Sequence, residues 1–216
     1  MKLLNSFGPN PRMVRMFMLE KKIELPSQNV DILAGECRQS PYLEKNPVGQ
    51  TPSLQLDDGR VIAETVVICE YLEELHPTPA LIGTNALERA EARMALRRIE
   101  LNATEYLYNG FRFGAGLAMF QNRVRCLPEA AEGMQAKGAD GLQLADALLK
   151  GHSFLCGNRL TIGDLVLYCC VEFCASAGFK VDPTLTTLHS WLERINSRPS
   201  AAASLSPNWS EIGLRG

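Results

Sequence analysis

A proline stands directly before an apolar strand signal at Thr51-Pro52-Ser53-Leu54, inside the run Asn46-Pro47-Val48-Gly49-Gln50-Thr51-Pro52. Proline has no N–H to give a strand ladder, so Pro52 must sit at a strand start or on a sheet edge. A cis Thr51-Pro52 bond would turn Thr51 outward with its backbone N–H and C=O unpaired. Those two groups can hold an extended peptide in the manner of an added strand. Ala63-Glu64-Thr65 follows shortly and places an acid and a hydroxyl at the mouth of a helix. Glu64 and Thr65 can grip the charged end of such a peptide. The two stretches together point to a site for a small anionic peptide.

The flanking elements read as a mixed α/β layer. Lys2 to Ser6 is a short strand, punctuated by Gly8, Pro9 and Pro11. Asn10 is placed as an N-cap, with Pro11 at the first helical position, where a missing N–H costs nothing. Val14, Phe17, Met18 and Lys21 recur at helical spacing, and Met13, Met16 and Leu19 widen that stripe. Pro26 interrupts, and Asn29 to Ile32 alternates as a second strand. Ser53 to Leu56, the turn Asp57-Asp58-Gly59 and Arg60 to Ile62 form a hairpin signal. Thr65 opens a helix whose Ile68, Tyr71, Leu72 and Leu75 share a face. The order β-α-β, loop, β-β-α predicts a compact four-stranded layer.

His76-Pro77-Thr78-Pro79 forbids a continuing helix and predicts a domain boundary. The expected division is residues 1–76, a linker at 77–84, and a helical domain at 85–216. In that second part a charged helix runs from Ala86 to near Asn109, with acids and arginines spaced for i,i+3 and i,i+4 pairs. Gly110 to Gly116 is a glycine-aromatic interruption. Further helices are expected near Leu117–Arg125, Pro128–Leu149, Ile162–Ala177 and Thr184–Asn196, the last ended by Arg198-Pro199. Thr161 and Asp164 have the spacing of a capping box before an apolar run. The fold class is therefore α/β plus all-α.

Charge excludes several partners. Lys+Arg is 22 and Asp+Glu is 24, a net charge of -2. No basic field is available for nucleic acid or an anionic membrane. The seven cysteines form no CxxC pair and no metal-ligand spacing, and most lie in apolar surroundings. They read as small hydrophobes in a reducing compartment. His76, His152 and His189 are far apart in sequence, so no metal is assigned. Met1 to Ser6 is too short an apolar run for a signal peptide, and Leu165 to Val171 stops at Glu172. A cytoplasmic protein is expected. There is no P-loop, no GxGxxG after a strand and no Gly-x-Ser-x-Gly.

Three further matches join the motifs above: Glu64-Thr65 with Tyr71-Leu72, Cys156-Gly157-Asn158-Arg159-Leu160-Thr161-Ile162-Gly163-Asp164, and Arg198-Pro199. In this order and spacing the chain resembles the cytosolic glutathione transferase family, as a bacterial-type member with Asn at the usual Ser or Cys position. The resemblance implies a thioredoxin-like N-terminal domain (βαβ-ββα), a C-terminal helical bundle and a homodimer. It also implies glutathione as bound co-substrate, a small hydrophobic electrophile, and a role in detoxification. Thr51, before Pro52, would pair its backbone with the cysteinyl part. Glu64 and Thr65 would hold the γ-glutamyl ammonium and carboxylate, the latter at a helix N-terminus that favours anions. Val48 and Gln50 would flank this site, and Arg38 and Gln39 would meet the glycyl carboxylate.

Asn10 and Ser6 are the two candidates at the sulfur. An Asn amide can donate to a thiolate but cannot act as a base, and Arg12 and the helix N-terminus would add to the field. Each has a structural alternative: Asn10 as a cap, Ser6 as a strand end with a local bond, and Arg12 and Arg15 as surface charges. Glu64 and Thr65 can equally cap their own helix. Tyr106, Tyr108, Phe111, Phe113 and Phe120, with Phe7 and Met119, are the expected wall of an electrophile pocket or else helix packing. The rival function is a catalytically weak glutathione-binding or interaction protein of the same fold.

Overall fold

The computed structural model describes residues 1–216. Strand β1 (Lys2–Asn5), helix α1 (Pro9–Lys21) and strand β2 (Ser27–Asn29) open the chain, with β1 and β2 parallel. The hairpin of β3 (Ser53–Gln55) and β4 (Val61–Ala63) lies antiparallel beside β1, giving the order β2-β1-β3-β4. Leu3 and Leu54 pair at the centre of the sheet. They pack with Met13 and Phe17 of α1 and with Ile68 and Leu72 of helix α3 (Thr65–Leu75). Leu4, Val30, Cys37 and Tyr42 make a smaller apolar cluster, which includes the short helix α2 (Tyr42–Lys45).

Two local expectations shift. The second strand begins two residues earlier than the alternating run Asn29 to Ile32, because the Pro26 carbonyl already accepts the Leu3 N–H at 2.9 Å. Asn10 is not the N-cap. Gly8 holds that position at φ 129°, no side chain caps the helix, and Pro9, Asn10 and Pro11 form its first turn. Two prolines there remove two of the N–H groups that a cap would otherwise satisfy.

The remaining helices form the second layer. Helix α4 (Ala86–Ile99) is capped by Asn85 Oδ1, which accepts the Glu88 N–H at 3.0 Å. The expected continuation to Asn109 passes through one π turn, Glu100–Thr104, into helix α5 (Glu105–Phe113). Helix α7 (Ala131–Leu149) receives that bulge with glycine. A Cβ on Gly141 would lie 2.0 Å from the Asn102 carbonyl oxygen, and one on Gly138 2.7 Å from Leu107 Cδ2. Helix α6 (Leu117–Phe120) stops well short of Arg125. Helices α8 (Ile162–Ser176) and α9 (Thr186–Asn196) follow, then α10 (Pro199–Ala203) and α11 (Trp209–Ile212), two short elements that carried no helical periodicity of their own.

The capping box forms as read: Asp164 accepts the Thr161 N–H and the Thr161 hydroxyl, each at 2.9 Å. Asp164 also accepts the Leu155 N–H at 2.9 Å and Trp191 Nε1–H at 3.0 Å. Burial pushes this carboxyl above its ordinary value, and the four donors oppose that shift.

A single apolar cluster runs from Leu3 of β1 to Ala201 of α10, joining both layers. Charged pairs reinforce it. Lys21 and Glu73 form a buried ion pair, and Glu73 Oε1 accepts the N–H groups of Leu81 and Ile82, each at 2.9 Å. The segment around Pro79 is thus pinned to α3. Arg198 donates twice to Glu20, at 2.7 and 2.6 Å, and Ser200 donates to the same carboxylate.

Two predictions follow from this packing. Ala at 141 gains about 1 kcal/mol of helix propensity but overpacks the π turn, an effect of typically 1–3 kcal/mol and more against rigid backbone. Gly141→Ala is therefore expected to lower the urea midpoint. A rise would show that the bulge is not packed against this glycine. Burial alone would raise the Glu20 carboxyl, but the bonds from Arg198 and Ser200 outweigh it and hold the group below its ordinary value. Its contribution is full above the ordinary glutamate value and is lost as pH falls through the lower folded-state value. The melting temperature of Glu20→Gln should accordingly drop less between pH 6 and pH 3 than that of the parent protein.

Candidate functional site

The loop before β3 is fastened from one side. Tyr42 Oη donates to the Gln50 carbonyl at 2.6 Å, and Asn46 Nδ2 donates to the same oxygen at 2.8 Å. Arg38 Nη1 donates to the Val48 carbonyl at 2.9 Å. Burial raises the Tyr42 phenol, so it stays a donor. Gly49 sits at φ 63°, where a side chain would meet the Cys37 carbonyl at 2.8 Å. Thr51 comes next, joined to Pro52 by a cis bond. Its backbone N–H and C=O have no hydrogen-bond partner in the chain, while its hydroxyl lies 2.5 Å from Ser6 Oγ.

Across β4, Glu64 holds φ 69° and ψ 121°, a conformation that costs about 1–3 kcal/mol for a residue other than glycine. It precedes α3, whose first turn has no side-chain cap. The free N–H groups there favour an anion. Glu64 and Thr65 share a polar cleft with Val48, Gln50, Thr51 and Pro52. Its opposite wall carries Arg97, Glu100 and Glu105, the first residue from α4, the second from the π turn and the third from α5.

An aromatic cavity adjoins this cleft. Phe7, Tyr108, Phe111, Phe120, Phe173 and Met119 give it an apolar wall, and Arg38, Arg112 and Arg123 also face it. The rings are packed: Phe111 meets Phe173 edge-on at 4.9 Å and Phe120 at 6.0 Å. Asn10, Gln50, Thr51, Tyr108 and Arg112 line both spaces and mark their junction. Burial raises the Tyr108 phenol well above its ordinary value, leaving it a neutral donor.

Most of the residues singled out in the sequence meet here, and six do not. Ser6 is buried, lines neither space, and turns its hydroxyl to Thr51 and to the Phe7 carbonyl. Gln39 faces a separate surface hollow. Arg12, expected at the pocket or on the surface, is fully buried. Its guanidinium donates to the carbonyls of Arg215 and Ala201, each at 3.1 Å, and lies over the Tyr168 ring. Arg15 likewise pins Ser6, Asn5 and Ser204. Tyr106 is turned to Lys137 of α7, and Phe113 lines neither space.

Sequence reasoning missed Arg112, Arg123 and Phe173. Tyr108, Phe111 and Arg112 stand at i, i+3 and i+4 on α5, a face that the spacing alone displays. The π turn upstream inserts one extra residue, so the face of α5 does not continue that of α4.

Two family models match the chain: Glutathione S-transferase, N-terminal domain, over residues 7–75, and Glutathione S-transferase, C-terminal domain, over residues 128–199. Glutathione S-transferase 2 of Saccharomyces cerevisiae is 28% identical over 200 residues, covering 89% of this chain and 84% of that one. A probable maleylacetoacetate isomerase of Caenorhabditis elegans is 34% identical over 157 residues, covering 70% and 68%. The crystal structure of Gtt2 from Saccharomyces cerevisiae superposes with a TM-score of 0.88 at 27% identity, covering 95% of this chain and all of the other.

Proposed function

Because the chain belongs to the glutathione S-transferase family, we propose that the cleft holds glutathione and that its sulfur attacks a small electrophile in the aromatic cavity. The observation that carries this reading is the unpaired backbone of Thr51 beside the uncapped start of α3. Thr51 pairs with the cysteinyl unit as an added strand would. The γ-glutamyl carboxylate meets the first-turn N–H groups of α3, and Glu64 takes the ammonium. Arg38 reaches the glycyl carboxylate from the cavity side.

The cysteinyl sulfur then falls at the junction, beside Asn10. Asn10 does not remove the proton; its side-chain amide donates a hydrogen bond that favours the thiolate over the thiol. The thiol gives its proton to solvent, and the sulfur lone pair forms a bond to the electrophilic carbon. A leaving group or an adjoining π bond takes up the displaced pair. Holding both reactants in adjacent spaces supplies proximity.

A second reading, glutathione binding without appreciable turnover, is favoured by one observation. Ser6, the hydroxyl nearest in sequence to Asn10, is committed to Thr51 and lies off the junction. Turnover assays with several electrophiles, after calorimetry has established glutathione binding, separate the two.

Removing the Glu64 carboxylate should weaken glutathione binding by about 1.5–3 kcal/mol, the usual worth of a charged hydrogen bond. Calorimetry on Glu64→Ala reads this directly, and unchanged affinity would refute the tripeptide's placement. A free thiol titrates near 8.5, and each unit of lowering corresponds to about 1.4 kcal/mol. Ultraviolet difference titration should find the bound thiol lowered in the parent protein and less so in Asn10→Ala. Identical values would remove Asn10 from the sulfur.

A further inference from the structure

The aromatic cavity carries three guanidiniums, from Arg38, Arg112 and Arg123, and no acidic residue lines it. None of the three belongs to an ion pair anywhere in the chain. Their hydrogen bonds are few. Arg112 donates to Asn109 Oδ1 at 3.1 Å, and Arg38 donates to the Val48 carbonyl at 2.9 Å. Arg38 Nε and Arg123 Nη2 are buried without any partner. The acids lie on the other side of the junction, where Glu64, Glu100 and Glu105 face the polar cleft.

Arg112 and Arg123 flank one ring. Their guanidinium carbons lie 5.8 and 5.7 Å from the centre of Phe120. Cations stacked near an aromatic face have their N–H groups held in place at the cavity wall. A neutral apolar guest would bury these donors further and leave them unmatched, which is costly for charged groups. A guest with a carboxylate would give them charge-assisted bonds instead.

We propose that the aromatic cavity selects an electrophile with a carboxylate on a small apolar or aromatic body, with Arg112 and Arg123 as its anion-binding residues. This rests on the glutathione reading above, which leaves Arg38 to the glycyl carboxylate. The carboxylate takes no part in bond formation; it orients the electrophilic carbon toward the junction.

The test uses two conjugates that mimic the product, S-(4-carboxybenzyl)glutathione and its neutral isostere S-(4-carbamoylbenzyl)glutathione. Both are titrated calorimetrically into the full-length protein alongside glutathione itself. The carboxylate conjugate should bind about tenfold more tightly than the amide, as one charged hydrogen bond provides. The ratio should shrink as salt is raised, fall to near unity in Arg112→Gln/Arg123→Gln, and persist in Arg123→Lys. Equal binding of the two conjugates by the parent protein, with glutathione also bound, would overturn the anion site and leave the transferase reading standing. A preference that survives the double Gln substitution would assign it to other residues and overturn the proposal as well. If neither conjugate nor glutathione binds, the transferase reading fails, and the anion site fails with it.

Discussion

The Asp164 carboxylate gathers four donors from three parts of the chain: the Leu155 N–H, the Thr161 N–H and hydroxyl, and the Trp191 indole. It sits at the first turn of α8, the helix that packs against α1, α4 and α5. A buried carboxylate is costly unless its lone pairs are filled, and here they are. The start of α8, the loop before it and α9 are fixed relative to one another by that one group. The floor of the aromatic cavity depends on the same helix through Phe173, so that wall inherits its position from a carboxylate about two and a half turns earlier on α8.

The site itself is divided by charge. The N-terminal layer supplies the unpaired Thr51 backbone and the uncapped start of α3. Arg97 of α4, Glu100 of the π turn and Glu105 of α5 complete that cleft, while the adjoining cavity is aromatic and basic. The two adjacent spaces therefore differ in character, one carrying both signs of charge and the other basic and aromatic. Tyr108 and Arg112 stand where the two meet, contributed by a helix whose register is reset by the π turn behind it.

Much of this was legible in the residues. The succession of strands and helices in the first layer, the Asp-Gly hairpin, the helix from Thr65 and the capping box at Thr161 all depend on local chemistry that a sequence states outright. That Thr51, Glu64 and Thr65 come together in one cleft was legible for the same reason, since they are set by turns and helix starts. The facing wall was not. Which of Tyr106, Tyr108 and Phe113 reaches the cavity depends on a π turn that no periodicity announces and that a glycine on a distant helix makes room for. Arg12 and Arg15 were unreadable for another reason. Their partners include the backbone carbonyls of Ala201, Ser204 and Arg215 near the C-terminus and of Ser6, and carbonyl acceptors leave no trace in residue identity.

The pinning of the segment around Pro79 has a consequence for motion. Domains joined by a solvated linker open and shut by default. Here Glu73 ties Leu81 and Ile82 to α3, Glu20 grips Arg198 on the far side, and apolar packing is continuous between the layers. Displacing one layer against the other would break the Glu73 and Glu20 bonds together with that apolar packing.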